Sequence, residues 1–182
     1  MRVMNKLKMI VLLVVLAGCK QQATQEQAQK AASKTDTTVV VSKPVFQPLR
    51  LENPAHEILL EPYWQLHAAL VESNAFGARK AALLLEEAAK QVKSKQVIAE
   101  KAAAILQEAD LEKQRNHFSV ISQELIQLVE SEGIREGTAY VAYCPMAMED
   151  KGAYWLTQEK EVINPYFGAS MLTCGSIEKT LE

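Results

Sequence analysis

Three cysteines in 182 residues are too few for a fold that depends on a dense disulfide framework. The chain also lacks a glycine-rich phosphate loop and a zinc-protease helix motif, so two common routes to enzymatic chemistry are missing. Basic residues do not dominate either. There are 20 lysines and arginines against 22 acidic residues, which argues against a nucleic-acid partner, since affinity for phosphate backbones needs clustered positive charge. Serines and histidines occur, but no spacing assembles them into a nucleophilic site. Glu86 with Glu87, and the run Glu108-Ala109-Asp110-Leu111-Glu112, read as solvated helix faces. No enzyme is indicated.

The N-terminus is rich in what the remainder lacks. Arg2, Lys6 and Lys8 precede an apolar stretch from Met9 to Leu16, and Leu16-Ala17-Gly18-Cys19 follows as a small-residue processing site. The stretch is too short to cross a bilayer as a helix. It resembles the lipobox of bacterial lipoproteins. That resemblance implies a signal peptide over residues 1–18, cleavage before Cys19, and diacylglycerol and acyl attachment at Cys19. Two or more acyl chains hold a protein stably at a membrane. Lys20, where a retained lipoprotein would carry aspartate, implies the periplasmic face of the outer membrane. Removing residues 1–18 takes away three basic side chains and leaves 17 basic against 22 acidic, a formal charge of −5. Residues 19–43 are mostly Gln, Ala, Thr, Lys and Ser with no aromatic residue, a composition that reads as a flexible tether.

The third segment, residues 44–182, is expected to be a single helical domain. Pro44, Pro48 and Pro54 keep its start in short pieces, and Pro62 fits the first turn of a helix to about Ser73. Asn74-Ala75-Phe76-Gly77 reads as a break. Further helices are expected over Ala78–Val92 and Ser94–Ala109. A fourth carries Phe118, Ile121, Leu125, Leu128 and Val129 on one face and ends at Gly133 and Gly137. These elements predict a mainly α fold, an antiparallel four-helix bundle with a C-terminal cap of loops and short strands. Thr138–Tyr143 is the expected strand. Because the second and third helices are alanine-rich and bury little area, Tyr154, Trp155, Tyr166 and Phe167 are expected to pack back onto them.

Sulfur is concentrated in that cap. Cys144, Met146 and Met148 alternate, which in extended backbone points their side chains the same way. Met171 and Cys174 form a second cluster, and His117 is positioned to approach from the bundle. Thiolate and thioether sulfur favour soft ions such as Cu(I). The same residues have plainer readings: Cys144 and Cys174 as a disulfide closing a loop of about 30 residues, worth roughly 3 to 4 kcal/mol, the methionines as core filler, and His117 as a boundary residue. His67 follows Leu66 on a largely buried helix, and His56 lies among prolines and is expected to be exposed.

Tyr143-Cys144-Pro145-Met146-Ala147-Met148, Lys151-Gly152-Ala153-Tyr154-Trp155-Leu156, Ile163-Asn164-Pro165-Tyr166-Phe167-Gly168 and Met171-Leu172-Thr173-Cys174-Gly175 resemble a periplasmic domain of unknown function. The resemblance continues to His117-Phe118, Ser122 and Leu125, and more weakly to Tyr63, Leu66, Ala69 and Leu70. That domain occurs alone in lipoproteins or appended to CusB/HlyD-type heavy-metal efflux adaptors. The resemblance implies an association with heavy-metal handling; taken with the lipobox and the sulfur-rich cap, the expectation is a membrane-anchored lipoprotein that binds copper as Cu(I), with silver possible, and buffers the ion or hands it to an efflux component. The expected ligands are drawn from Cys144, Met146, Met148, Met171, Cys174 and His117. The competing expectation is a non-catalytic structural or protein-interaction lipoprotein stapled by a Cys144–Cys174 disulfide.

Overall fold

Asn53 accepts the Ala55 amide and starts a 3-10 turn, Pro54–Leu59, that runs straight into α1, Leu60–Val71. A computed structural model describes residues 48–182; the expected signal peptide, the expected tether and the expected lipidation site Cys19 lie outside the described residues. Pro62 sits in the first turn of α1, where a missing amide hydrogen costs no helical bond. The expected break at Asn74–Gly77 is instead a helix start. Asn74 accepts the Gly77 amide at 2.8 Å, and α2 runs over Ala75–Lys90. An Asn side chain that satisfies an orphan amide makes an efficient N-cap, and this one lengthens the helix beyond its apolar repeat. α3 spans Gln96–Gln107, and α4 spans Leu111–Glu132. The segment around Asp110 is likewise a boundary and not a solvated helix face: its carboxylate accepts from the amides of Glu112 (2.8 Å) and Lys113 (3.1 Å).

The four helices pack in chain order, α1 on α2, α2 on α3 and α3 on α4, and α4 packs in turn on the C-terminal strands. The molecule is mainly α, a four-helix bundle with a strand-and-loop cap. Short links of a few residues force consecutive helices to lie side by side. Among the described residues no helix is long and apolar enough to cross a membrane.

The cap holds more sheet than one expected strand. β1 (Arg50–Leu51) pairs antiparallel with β2 (Ile134–Glu136), tying the start of the domain to the end of α4. A second antiparallel sheet has the order β4-β3-β5, with β3 over Ala139–Cys144, β4 over Ala153–Thr157 and β5 over Ser176–Leu181. β5 exposes most of its side chains, so no hydrophobic alternation announces it.

Where the cap meets the bundle, Tyr63 of α1, Phe118 of α4 and Trp155 of β4 are all fully buried. The Tyr63 and Phe118 rings stack at 5.4 Å. Tyr63 Oη shares a hydrogen bond with Ser122 Oγ at 2.9 Å and accepts the Leu156 amide at 3.0 Å, joining α1, α4 and β4 in one polar node. Desolvation holds the Tyr63 hydroxyl far above its ordinary range, so it stays protonated. Buried alanines at 78, 81, 82, 88 and 89 of α2 contribute little area each, and Trp155, Leu156 and Tyr166 supply the bulk the bundle lacks. Tyr154 departs from the expectation that it packs inward. Strand alternation turns it outward beside buried Trp155, where it is 41% exposed and lies against Tyr143 at 4.4 Å.

Candidate functional site

β3 delivers Cys144 to the centre of the cap, and the loop before β5 brings Cys174 against it. The two Sγ atoms lie 2.8 Å apart as free thiols. Cys144 is fully buried, and Cys174 is partly exposed. Two local features hold Cys174 in place. Gly175, with φ at 131°, passes so close to β3 that an added Cβ would sit 2.6 Å from the Tyr143 carbonyl oxygen. Buried Asn164 donates from Nδ2 to the Cys174 carbonyl at 2.7 Å, while its Oδ1 accepts the amides of Tyr166 (2.7 Å) and Phe167 (3.1 Å). The hydrogen bond with Cys144, followed by desolvation, pushes the Cys174 thiol up to about 11.

The methionines do not reach one place by the expected route. β3 ends at Cys144, and Met146–Lys151 forms a tight turn, so the alternation of Cys144, Met146 and Met148 along a strand does not occur. Met148, Glu149 and Asp150 all adopt the left-handed region, with φ of 54°, 57° and 63°. That conformation costs roughly 1–2 kcal/mol per non-glycine residue and persists only where surrounding structure imposes it. The turn nevertheless places Met146 and Met148 on the wall of a cleft of about 390 Å³ that Met171 also lines. Tyr166 and Phe167 complete its apolar side; Glu112, Asn116, Glu149 and Asp150 supply its polar side. Phe167 and Tyr166 are held by the same Asn164 that holds Cys174, so the thiol pair and the cleft share one frame.

His117 is not brought to this cleft. Its neighbour Asn116 lines the cleft, whereas one helical step later His117 is acted on by Lys101 and Glu108 at the α3 side. Desolvation, then Lys101, lowers its pKa. His56 also differs from expectation, since it is partly covered and pairs through Nδ1 with Glu132 at the end of α4. His67 is half-buried beside a surface cleft, with its Nε2 covered and unpartnered; burial lowers its pKa to about 4, against a smaller opposing effect of the Ile163 carbonyl. Among the described residues, no three His, Cys, Asp or Glu side chains converge as a metal site. The cleft is a thioether-lined arrangement instead.

Sequence reasoning missed Asn164, Glu112 and Asn116. Asn164-Pro165 is a turn-forming pair by residue type, which does not reveal a side chain that bridges two separate segments.

Residues 59–137 match the family model DUF3347, described as a protein of unknown function. A DUF3347 domain is present. The DUF3347 match covers α1 to α4 and β2, includes His117, and stops short of Cys144, Met146, Met148, Met171 and Cys174. It supports no specific link to CusB/HlyD-type adaptors. No curated protein and no solved structure matches the chain.

Proposed function

We propose that the protein captures a soft metal ion, copper as Cu(I) or silver, in the cleft lined by Met146, Met148 and Met171, and buffers it or passes it to an efflux component. The observation that carries this reading is that Met146, Met148 and Met171, from two separate segments, line one open cleft. Thioether sulfur is neutral and polarisable, a ligand type that favours Cu(I) over harder ions. The carboxylates of Glu112, Glu149 and Asp150 beside the cleft raise the local concentration of cations, although Arg115 and Lys151 partly offset Glu112 and Glu149. An open cleft suits ligand exchange, because an incoming partner reaches the ion without unfolding the site. Lipidation at Cys19 would keep this exchange at the outer membrane. His117 is left out of the ligand set on geometric grounds, and Cys174 is the nearest further sulfur along the chain from Met171.

Titration of the reduced protein with Cu(I) under a competing chelator tests the reading. Each single Met→Leu change at 146, 148 or 171 preserves volume and is expected to weaken binding by about tenfold or more, the loss that even second-shell changes cause at metal sites. Wild-type affinity in the triple Met→Leu variant would sink the cleft as the site.

A second reading rests on a different observation, the 2.8 Å contact between the two thiols. Here Cys144 and Cys174 bond to each other and the protein serves as a non-catalytic structural or interaction lipoprotein. Thiol counting by mass on protein taken from cells separates the two: a quantitative bridge with no bound copper favours the second.

A further inference from the structure

The methionine cleft accounts for three of the cap's sulfurs and leaves two thiols in direct contact beside it. We propose that Cys144 and Cys174 form a two-electron donor that reduces Cu(II) to Cu(I), the state the thioether cleft retains; the inference rests on reading that cleft as a soft-ion site. Each thiol loses a proton and one electron, an Sγ–Sγ bond forms between them, two Cu(II) ions each take one electron, and two protons leave to solvent. Without a dithiol reductant to reopen the bridge, the reaction runs once.

Three features of the geometry point this way. The sulfurs lie 2.8 Å apart, so they need approach by only about 0.8 Å to reach bonding distance. The pair is asymmetric: partly exposed Cys174 meets the ion, and fully buried Cys144 resolves the oxidised partner. The donor also lies close to the acceptor site. The Cys174 amide donates to the Met171 carbonyl at 3.1 Å, and Asn164 bridges the Cys174 carbonyl to the amides of Tyr166 and Phe167 on the cleft wall.

The test uses the full chain carrying Cys19→Ser, so that Cys144 and Cys174 are its two thiols. The protein is reduced, freed of reductant and mixed anaerobically with Cu(II) sulfate. A Cu(I)-selective chromophoric chelator counts the reduced ion, and mass spectrometry after acid quench counts thiols. Two Cu(I) per chain and one intramolecular bridge are expected. In Cys174→Ser the initial rate should fall by about tenfold or more, because the remaining thiol is buried. Persistent thiols with unreduced Cu(II), or a wild-type rate in Cys174→Ser, would overturn the proposal. Should that variant fail to fold by circular dichroism, the ratio of Cu(I) to bridges formed in the unsubstituted pair decides. The triple Met→Leu variant separates this proposal from the cleft reading: it should still reduce Cu(II) but release the Cu(I). Tight retention of directly supplied Cu(I) by that variant would defeat the cleft reading and, with it, the retention half of this proposal, while the thiol readout still decides the reduction.

Discussion

At the scale of single residues, burial decides chemistry that residue type alone leaves open. Half-buried His67 stays neutral near pH 7 because its cation is poorly solvated at that site, which lowers its pKa to about 4. An unfolded histidine titrates near 6.5. Below that value the unfolded chain takes up a proton that the folded chain refuses, so stability is complete above about pH 6.5 and falls as pH drops toward 4. The gap corresponds to roughly 3 kcal/mol in order of magnitude. Urea midpoints measured at pH 7.5 and pH 4.5 should differ accordingly, and His67→Phe should flatten part of that slope. An unchanged slope in the variant would show that His67 does not govern it. Tyr63 presents a comparable case. Tyr63→Phe leaves the buried Leu156 amide without its 3.0 Å acceptor, and a loss of about 1–3 kcal/mol in chemical denaturation is expected.

At the scale of elements, periodicity exposed the helices while caps set their limits. Phe118, Ile121, Leu125, Leu128 and Val129 all turn out to be buried on α4, as their spacing indicated. Asn74 and Asp110 were harder to read, since a polar residue before a helix passes for a break or a solvated face until its side chain is seen to bond the first free amides. Asp110→Ala should therefore destabilise the fold by about 1 kcal/mol, with Asp110→Asn largely restoring it. Thermal melts of the pair check this, and equal melting of Asp110→Ala and wild type would remove Asp110 from the account. The sulfur-bearing turn was legible only in part. Met146, Met148 and Met171 line one cleft, but the expected strand alternation is replaced by three consecutive left-handed residues.

At the scale of the whole molecule, the bundle and cap depend on each other. Arg115 is nearly buried on α4, and its guanidinium donates to the Pro165 carbonyl at 2.9 Å, the Leu70 carbonyl at 3.3 Å and Ser73 Oγ at 3.2 Å. One side chain thus clamps the loop behind the cleft to the end of α1. The DUF3347 match ends near β2, yet the aromatic residues that fill the junction come after it. A chain truncated after Gly137 should consequently lose cooperative unfolding, because Trp155, Leu156 and Tyr166 leave the core with it. Circular dichroism and urea titration of residues 44–137 against 44–182 measure that dependence; a cooperative transition of equal midpoint would show that the helices stand alone.

By itself the sequence determined the four helices, the aromatic cap and the concentration of sulfur near its end, because apolar spacing and residue type are local properties. Only the tertiary structure decided that the three methionines share one cleft, that the two thiols face each other beside it, and that His117 turns toward α3. Those outcomes depend on a left-handed turn, on Asn164 bridging segments ten residues apart, and on the rotation of α4, and none of these leaves a periodic trace in the chain.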